Sequence, residues 1–121
     1  MKVALTVCEN RISPVFDCAQ LLLIVDVDEK STVSRHFESF CYESPFSRAT
    51  RLSELGIKVL ICGAVSDSFA TMIETYDIRI IPFVAGPVEE VIDAYLMGRL
   101  FDSKFRMPGC GKSEEVDFSG E

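Results

Sequence analysis

A chain of 121 residues has room for one hydrophobic core, and 48% apolar with 26% charged residues is the composition of a folded globular domain. A net charge of −7 excludes a broad Lys/Arg patch for nucleic acid, and equally an anionic membrane surface as partner. The longest apolar run, Leu21 to Val25, falls far short of the roughly 18–20 residues that span a bilayer, and the N-terminus lacks the long apolar region of an export signal, so a cytoplasmic protein is expected.

Lys2 to Cys8 is a β-rich run that stops at the turn residues Glu9-Asn10. Arg11 to Ala19, with Ser13-Pro14 inside it, reads as an ordered loop. Gln20 to Val27, unbroken apolar from Leu21 to Val25, has the pattern of a buried strand. After the polar turn Asp28-Glu29-Lys30-Ser31, Thr32 to Phe40 reads as the second arm of a hairpin.

Three helices follow. Ser44-Pro45 supplies an N-cap and an N1 proline, with an apolar stripe at Phe46, Ala49, Leu52 and Leu55 ended by Gly56. Ser66 caps a second helix whose Phe69, Met72, Ile73 and Tyr76 stand at i, i+3, i+4 and i+7. Gly86-Pro87 opens a third with Val88, Val91, Ile92 and Tyr95 at the same spacing, and Gly98 closes it. Short apolar strands, Lys58 to Cys62 and Ile78 to Ile81, separate the helices. The order βββαβαβα predicts an α/β fold: one mixed five-stranded sheet, first strand central, flanked by helices in a ribonuclease H-like topology. The folded domain is expected over residues 1–101, with a flexible polar tail over 102–121.

Five cysteines, an odd number without any C-x-x-C pair, form neither a disulfide framework nor a zinc ribbon. Two of them end strands that the predicted topology sets side by side, Cys8 and Cys62. Ligands of open α/β sheets gather outside the carboxyl ends of the strands, where the turns Gly63-Ala64-Val65-Ser66 and Ala85-Gly86-Pro87 lead into helix N-termini. The loop with Cys18 leaves the same rim. Thiols and backbone amides together suit an anion with affinity for thiolate, which makes Cys8, Cys18, Cys62, Gly63 and Gly86 the candidate binding residues. The competing reading is ordinary packing: strand-terminal cysteines as small core residues, and Gly/Ser as helix-cap chemistry.

Outside that rim the signals are plainer. His36 is expected on the surface of its strand and Cys41 in the core. Glu89 and Glu90 sit in a helix first turn, where carboxylates complement the dipole. Cys110, in Pro108-Gly109-Cys110-Gly111, has no packing reason to exist and is a candidate mobile ligand.

The chain resembles the dinitrogenase iron–molybdenum cofactor biosynthesis family, the NifX-like domain. The resemblance covers roughly Met1 to Leu100. It rests on Lys2-Val3-Ala4-Leu5, on Ile12-Ser13-Pro14-Val15-Phe16-Asp17 and on Leu22-Leu23-Ile24-Val25-Asp26. Leu55-Gly56-Ile57-Lys58-Val59-Leu60-Ile61-Cys62-Gly63, Gly86-Pro87-Val88-Glu89-Glu90-Val91-Ile92-Asp93-Ala94-Tyr95 and Gly98-Arg99-Leu100 continue it. The tail Arg106-Met107-Pro108-Gly109-Cys110-Gly111 is similar to a cysteine-bearing C-terminus of some members. Many members read Ser-Pro-His-Phe-Gly in the first loop; here Val15 and Asp17 replace the His and the Gly, and Cys18 is placed to serve as a softer ligand.

The resemblance implies binding or transfer of an iron–sulfur or iron–molybdenum cluster or its precursor; Cys18, by its position beside that loop, and Cys110, by its place in the tail, are the candidate metal ligands. Partners would be cluster donor and acceptor proteins, with neither nucleic acid nor membrane involved. A non-catalytic carrier is therefore expected, and a regulatory or interaction module without cluster is the alternative. A ribonuclease-type hydrolase is excluded because Lys2 to Cys8 has no Asp or Glu to hold catalytic metal.

Overall fold

A computed structural model describes residues 1–16, 19–28, 31–40 and 44–98. Expectations for Cys18, Cys41, Cys110 and the tail lie outside these described residues. The elements run β1 (Lys2–Cys8), β2 (Arg11–Ile12), β3 (Leu21–Asp28), β4 (Ser31–Ser39), α1 (Pro45–Glu54), β5 (Ile57–Ile61), α2 (Asp67–Thr75), β6 (Arg79–Ile81) and α3 (Val88–Leu96).

The sheet is mixed and six-stranded, ordered β4-β3-β1-β5-β6, with β2 paired to β1 beside this path. β1 is central, as its composition requires, since Val3 to Val7 are all buried. It pairs antiparallel with β3 (Val3 opposite Val25) and parallel with β5 (Leu5 opposite Ile61). The sixth strand corrects the expected five. Arg11–Ile12 had read as loop because two residues carry no alternation, yet they pair with Val7 and Cys8. Glu9 and Asn10 between them have φ of 53° and 66°, the two positive values of a tight type I′ hairpin.

Side-chain alternation divides the core between the two faces. Val3, Leu5, Val59, Ile61 and Ile81 meet Val88, Val91 and Ile92 of α3. On the other face Ala4, Leu22, Ile24 and Leu60 meet Ala49 and Leu52 of α1 and Phe69 and Ile73 of α2. Ser44 caps α1 by accepting from the Ser47 N–H at 3.0 Å, and Ser66 caps α2 by accepting from that of Phe69 at 3.4 Å. The α1 stripe needs one correction. Phe46 is exposed, and the interior position is taken by Arg48, one turn before Leu52.

Candidate functional site

The carboxyl ends of β1 and β5 open onto a rim built from three segments: Cys8 to Phe16, Cys62 to Ser66 and Pro82 to Pro87. Main-chain hydrogen bonds sew them together. Ala64 donates to Pro14 O and Phe16 donates to Ala64 O, both at 2.7 Å, so that Val15 and Ala64 form a parallel bridge. Ile12 N–H reaches Gly86 O at 3.0 Å, Phe83 N–H reaches Gly63 O at 2.9 Å, and Val88 N–H reaches Asn10 O at 2.9 Å.

Gly63 is required by this seam. A Cβ there would lie 2.4 Å from the carbonyl oxygens of both Ser13 and Pro14. The close approach that the missing Cβ permits at position 63 is made by the protein's own backbone. Gly86, at φ 129°, occupies a conformation that side-chain-bearing residues rarely adopt. The first amide of α3 is likewise committed, to Asn10 O, and the first turns carry Asp67 in α2 and Glu89 and Glu90 in α3. The helix starts are therefore less open to an anion than their sequence suggested.

The two strand-terminal cysteines part company. Cys8 is exposed at the end of β1. Cys62 is 0% exposed and lies in the apolar cluster with Phe16, Leu60 and Phe69. The reason is alternation: Cys62 shares the parity of Leu60, so its thiol turns toward α1 and α2 and away from solvent. Its place in this structure is the core beneath the rim. Continuing the β1–β5 register by one step sets Thr6 beside it on the same face. Thr6 Oγ1 is buried with no hydrogen-bond partner among the described residues.

The residue that sequence reasoning missed is Arg48. It is 4% exposed, and its Nη1 donates to Phe16 O at 3.2 Å and to Ala19 O at 2.7 Å. The guanidinium also lies over the Phe16 ring at 5.6 Å and the Phe40 ring at 4.7 Å. One cation thus ties the two ends of the segment between residues 16 and 19. The available signal was its position, four residues before buried Leu52 on a helix.

Two apolar side chains face outward at the rim, Val15 (41% exposed) and Phe83 (36%). Phe83 has φ 61°, unusual for an aromatic residue, and is held there by its bond to Gly63. Among the described residues no group of three His, Cys, Asp or Glu side chains is arranged to hold a metal ion, and no helix is long and apolar enough to cross a membrane.

Solved structures share this architecture. PH0822 matches with TM-score 0.79 and 17% identity over 85% of this chain and 95% of that one. The apo form of the orange protein from Desulfovibrio gigas matches with TM-score 0.70 and 16% identity, over 87% and 94% of the two chains. A candidate dinitrogenase (mj0327) from Methanocaldococcus jannaschii gives TM-score 0.68 and 22% identity, over 83% and 91%. At such identities these likenesses establish the fold. No curated protein matches the sequence. The family model described as dinitrogenase iron-molybdenum cofactor spans residues 1–98, from the first strand through the end of α3. This chain belongs to that dinitrogenase iron–molybdenum cofactor family.

Proposed function

We propose that the protein is a non-catalytic carrier that takes a metal–sulfur cluster, iron–sulfur or iron–molybdenum, or a precursor of one, as cargo at the rim. The observation that carries this reading is the family match over residues 1–98, which takes in the whole rim with its exposed Cys8. Cys8, Cys18 and Cys110 are the proposed thiolate donors, and Gly63 and Gly86 shape the backbone around them. Cys62, enclosed by hydrocarbon, belongs to the floor and would join only if the rim opened. Few protein ligands and an exposed thiol suit a cargo that must be handed on, since a closed ligand set retains its metal. The strand order β4-β3-β1-β5-β6 around a central first strand supports the ribonuclease H-like label. Thiolate donors need a reducing compartment, which is why the cytoplasm belongs to the same reading, with cluster donor and acceptor proteins as partners.

Anaerobic reconstitution with iron and sulfide, with and without molybdate, tests the proposal. The expected product is coloured, with visible absorption and bound iron that fall in Cys8→Ser, Cys18→Ser and Cys110→Ser but persist in Cys62→Ala. A protein that remains colourless refutes it. The exposed Val15 and Phe83 favour a second reading, a cluster-free interaction module, which that colourless result would support.

A further inference from the structure

Among the described residues β4 is an edge strand of the sheet, and its side chains form a self-complementary pattern. Phe37 is 56% exposed although it lies opposite buried Leu23, and the neighbouring Leu21 is also exposed. These two residues share the sheet face that carries α3, the only helix packed on that side among the described residues. The opposite face of β4 sets an imidazole beside a carboxylate: His36 Nε2 lies 3.3 Å from Glu38 Oε2, and Glu38 also meets Arg51 at 3.4 Å.

We propose that β4 pairs antiparallel with β4 of a second copy, about a two-fold axis through Phe37 and normal to the sheet. An isologous contact sets each residue against its mirror position in the strand. With Phe37 facing Phe37 of the second copy, His36 faces Glu38, Glu38 faces His36, and Arg35 faces Ser39. Every cross-strand pair is then apolar, an imidazole against a carboxylate, or charged against neutral. Centring the axis on Arg35 or His36 instead would oppose two cations or two imidazoles. The preferred register joins Leu21 and Phe37 of each copy into one apolar stripe and extends a six-stranded sheet across both molecules. Edge strands recruit partners in this way because their outward N–H and C=O groups are already aligned for a ladder. Asp26↔Ser34 is followed by Val27↔Thr32, so a bulge bends the strand's start, and the flat pairing segment is Ser34–Ser39.

Site-directed crosslinking of the full chain tests the register. Phe37→Cys sets two thiols face to face at the axis, whereas Arg35→Cys sets them about 13 Å apart, four residues at ~3.3 Å each. Mild oxidation is expected to give a covalent dimer of Phe37→Cys that neither the wild type nor Arg35→Cys forms. Sedimentation of the reduced wild type should show a concentration-dependent dimer. His36→Glu should weaken it at least several-fold, and the swap His36→Glu with Glu38→His should restore it, with circular dichroism unchanged throughout. A wild type that stays monomeric at several hundred micromolar overturns the proposal, as does equal crosslinking at positions 35 and 37. Both readouts are independent of cluster binding, so they stand or fall apart from the carrier reading.

Discussion

Arg48 is buried on α1 with its guanidinium against the rings of Phe16 and Phe40. A guanidinium removed from water needs its donors satisfied, and here one nitrogen serves two carbonyl oxygens while two aromatic faces enclose the cation. Arg48→Met keeps the aliphatic volume but removes the cation's bonds to both oxygens; Phe16 O still accepts from Ala19 N–H at 3.1 Å, whereas Ala19 O loses its 2.7 Å donor. We expect it to lower unfolding free energy by about 3 kcal/mol in urea titration, within the range for breaking a buried charged network. Arg48→Lys should recover part of that loss, because an ammonium still donates but lacks the planar guanidinium that lies against the Phe16 and Phe40 rings. If both variants unfold at the wild-type urea concentration, the clamp contributes nothing. Position 48 was the least legible in the sequence: an arginine beside an exposed phenylalanine invites the opposite assignment. The burial of Cys62 was hidden from the sequence for a related reason. Its place at the end of a strand was legible, but the direction of its side chain depended on which face α1 and α2 would cover.

At the scale of elements, hydrophobic periodicity and punctuation carried most of the information. Ser-Pro before α1, Ser before α2 and Gly-Pro before α3 each mark a helix start that the structure retains. The caps differ in quality, and stability should follow. Ser44→Ala removes a 3.0 Å bond and should cost about 1 kcal/mol, whereas Ser66→Ala removes a 3.4 Å bond and should cost about half as much. Thermal unfolding of the two variants side by side checks the order. Reversal of that order would mean that cap geometry does not decide the cost. α3 lacks a side-chain cap and begins instead against the β1–β2 hairpin, through Asn10 O. No sequence rule predicts that contact, since it joins main-chain atoms far apart in the chain. β2 escaped notice similarly, being too short for periodicity and visible only through its partner strand.

For the whole molecule, the sheet order follows from composition. The strand with the most continuous burial, β1, occupies the centre, and the two βα units after α1 build outward from it. Local opening should mirror that order, because opening free energy rises with the apolar contacts that must be broken. In native-state hydrogen exchange, amides of Ala4 to Thr6 in β1 and Leu60 to Ile61 in β5 should exchange slowest, near the global unfolding limit. Those of β6 and the bulged start of β4 should exchange faster by about two orders of magnitude or more, through openings cheaper by about 3 kcal/mol. Uniform protection across the sheet would contradict this gradient.

The seam around Gly63 explains how such a frame tolerates sequence change. Its bonds join peptide groups, and apart from the missing Cβ at position 63 and the positive φ of Gly86 and Phe83 they make no demand on which side chains flank them. Residues 15 and 65 can therefore be exchanged for imidazole, thiol or hydrocarbon while the scaffold beneath them keeps its shape. One fold at 16–22% identity can thus present quite different surfaces at its rim. The chemistry of the rim is a set of interchangeable fittings on a frame held by peptide groups.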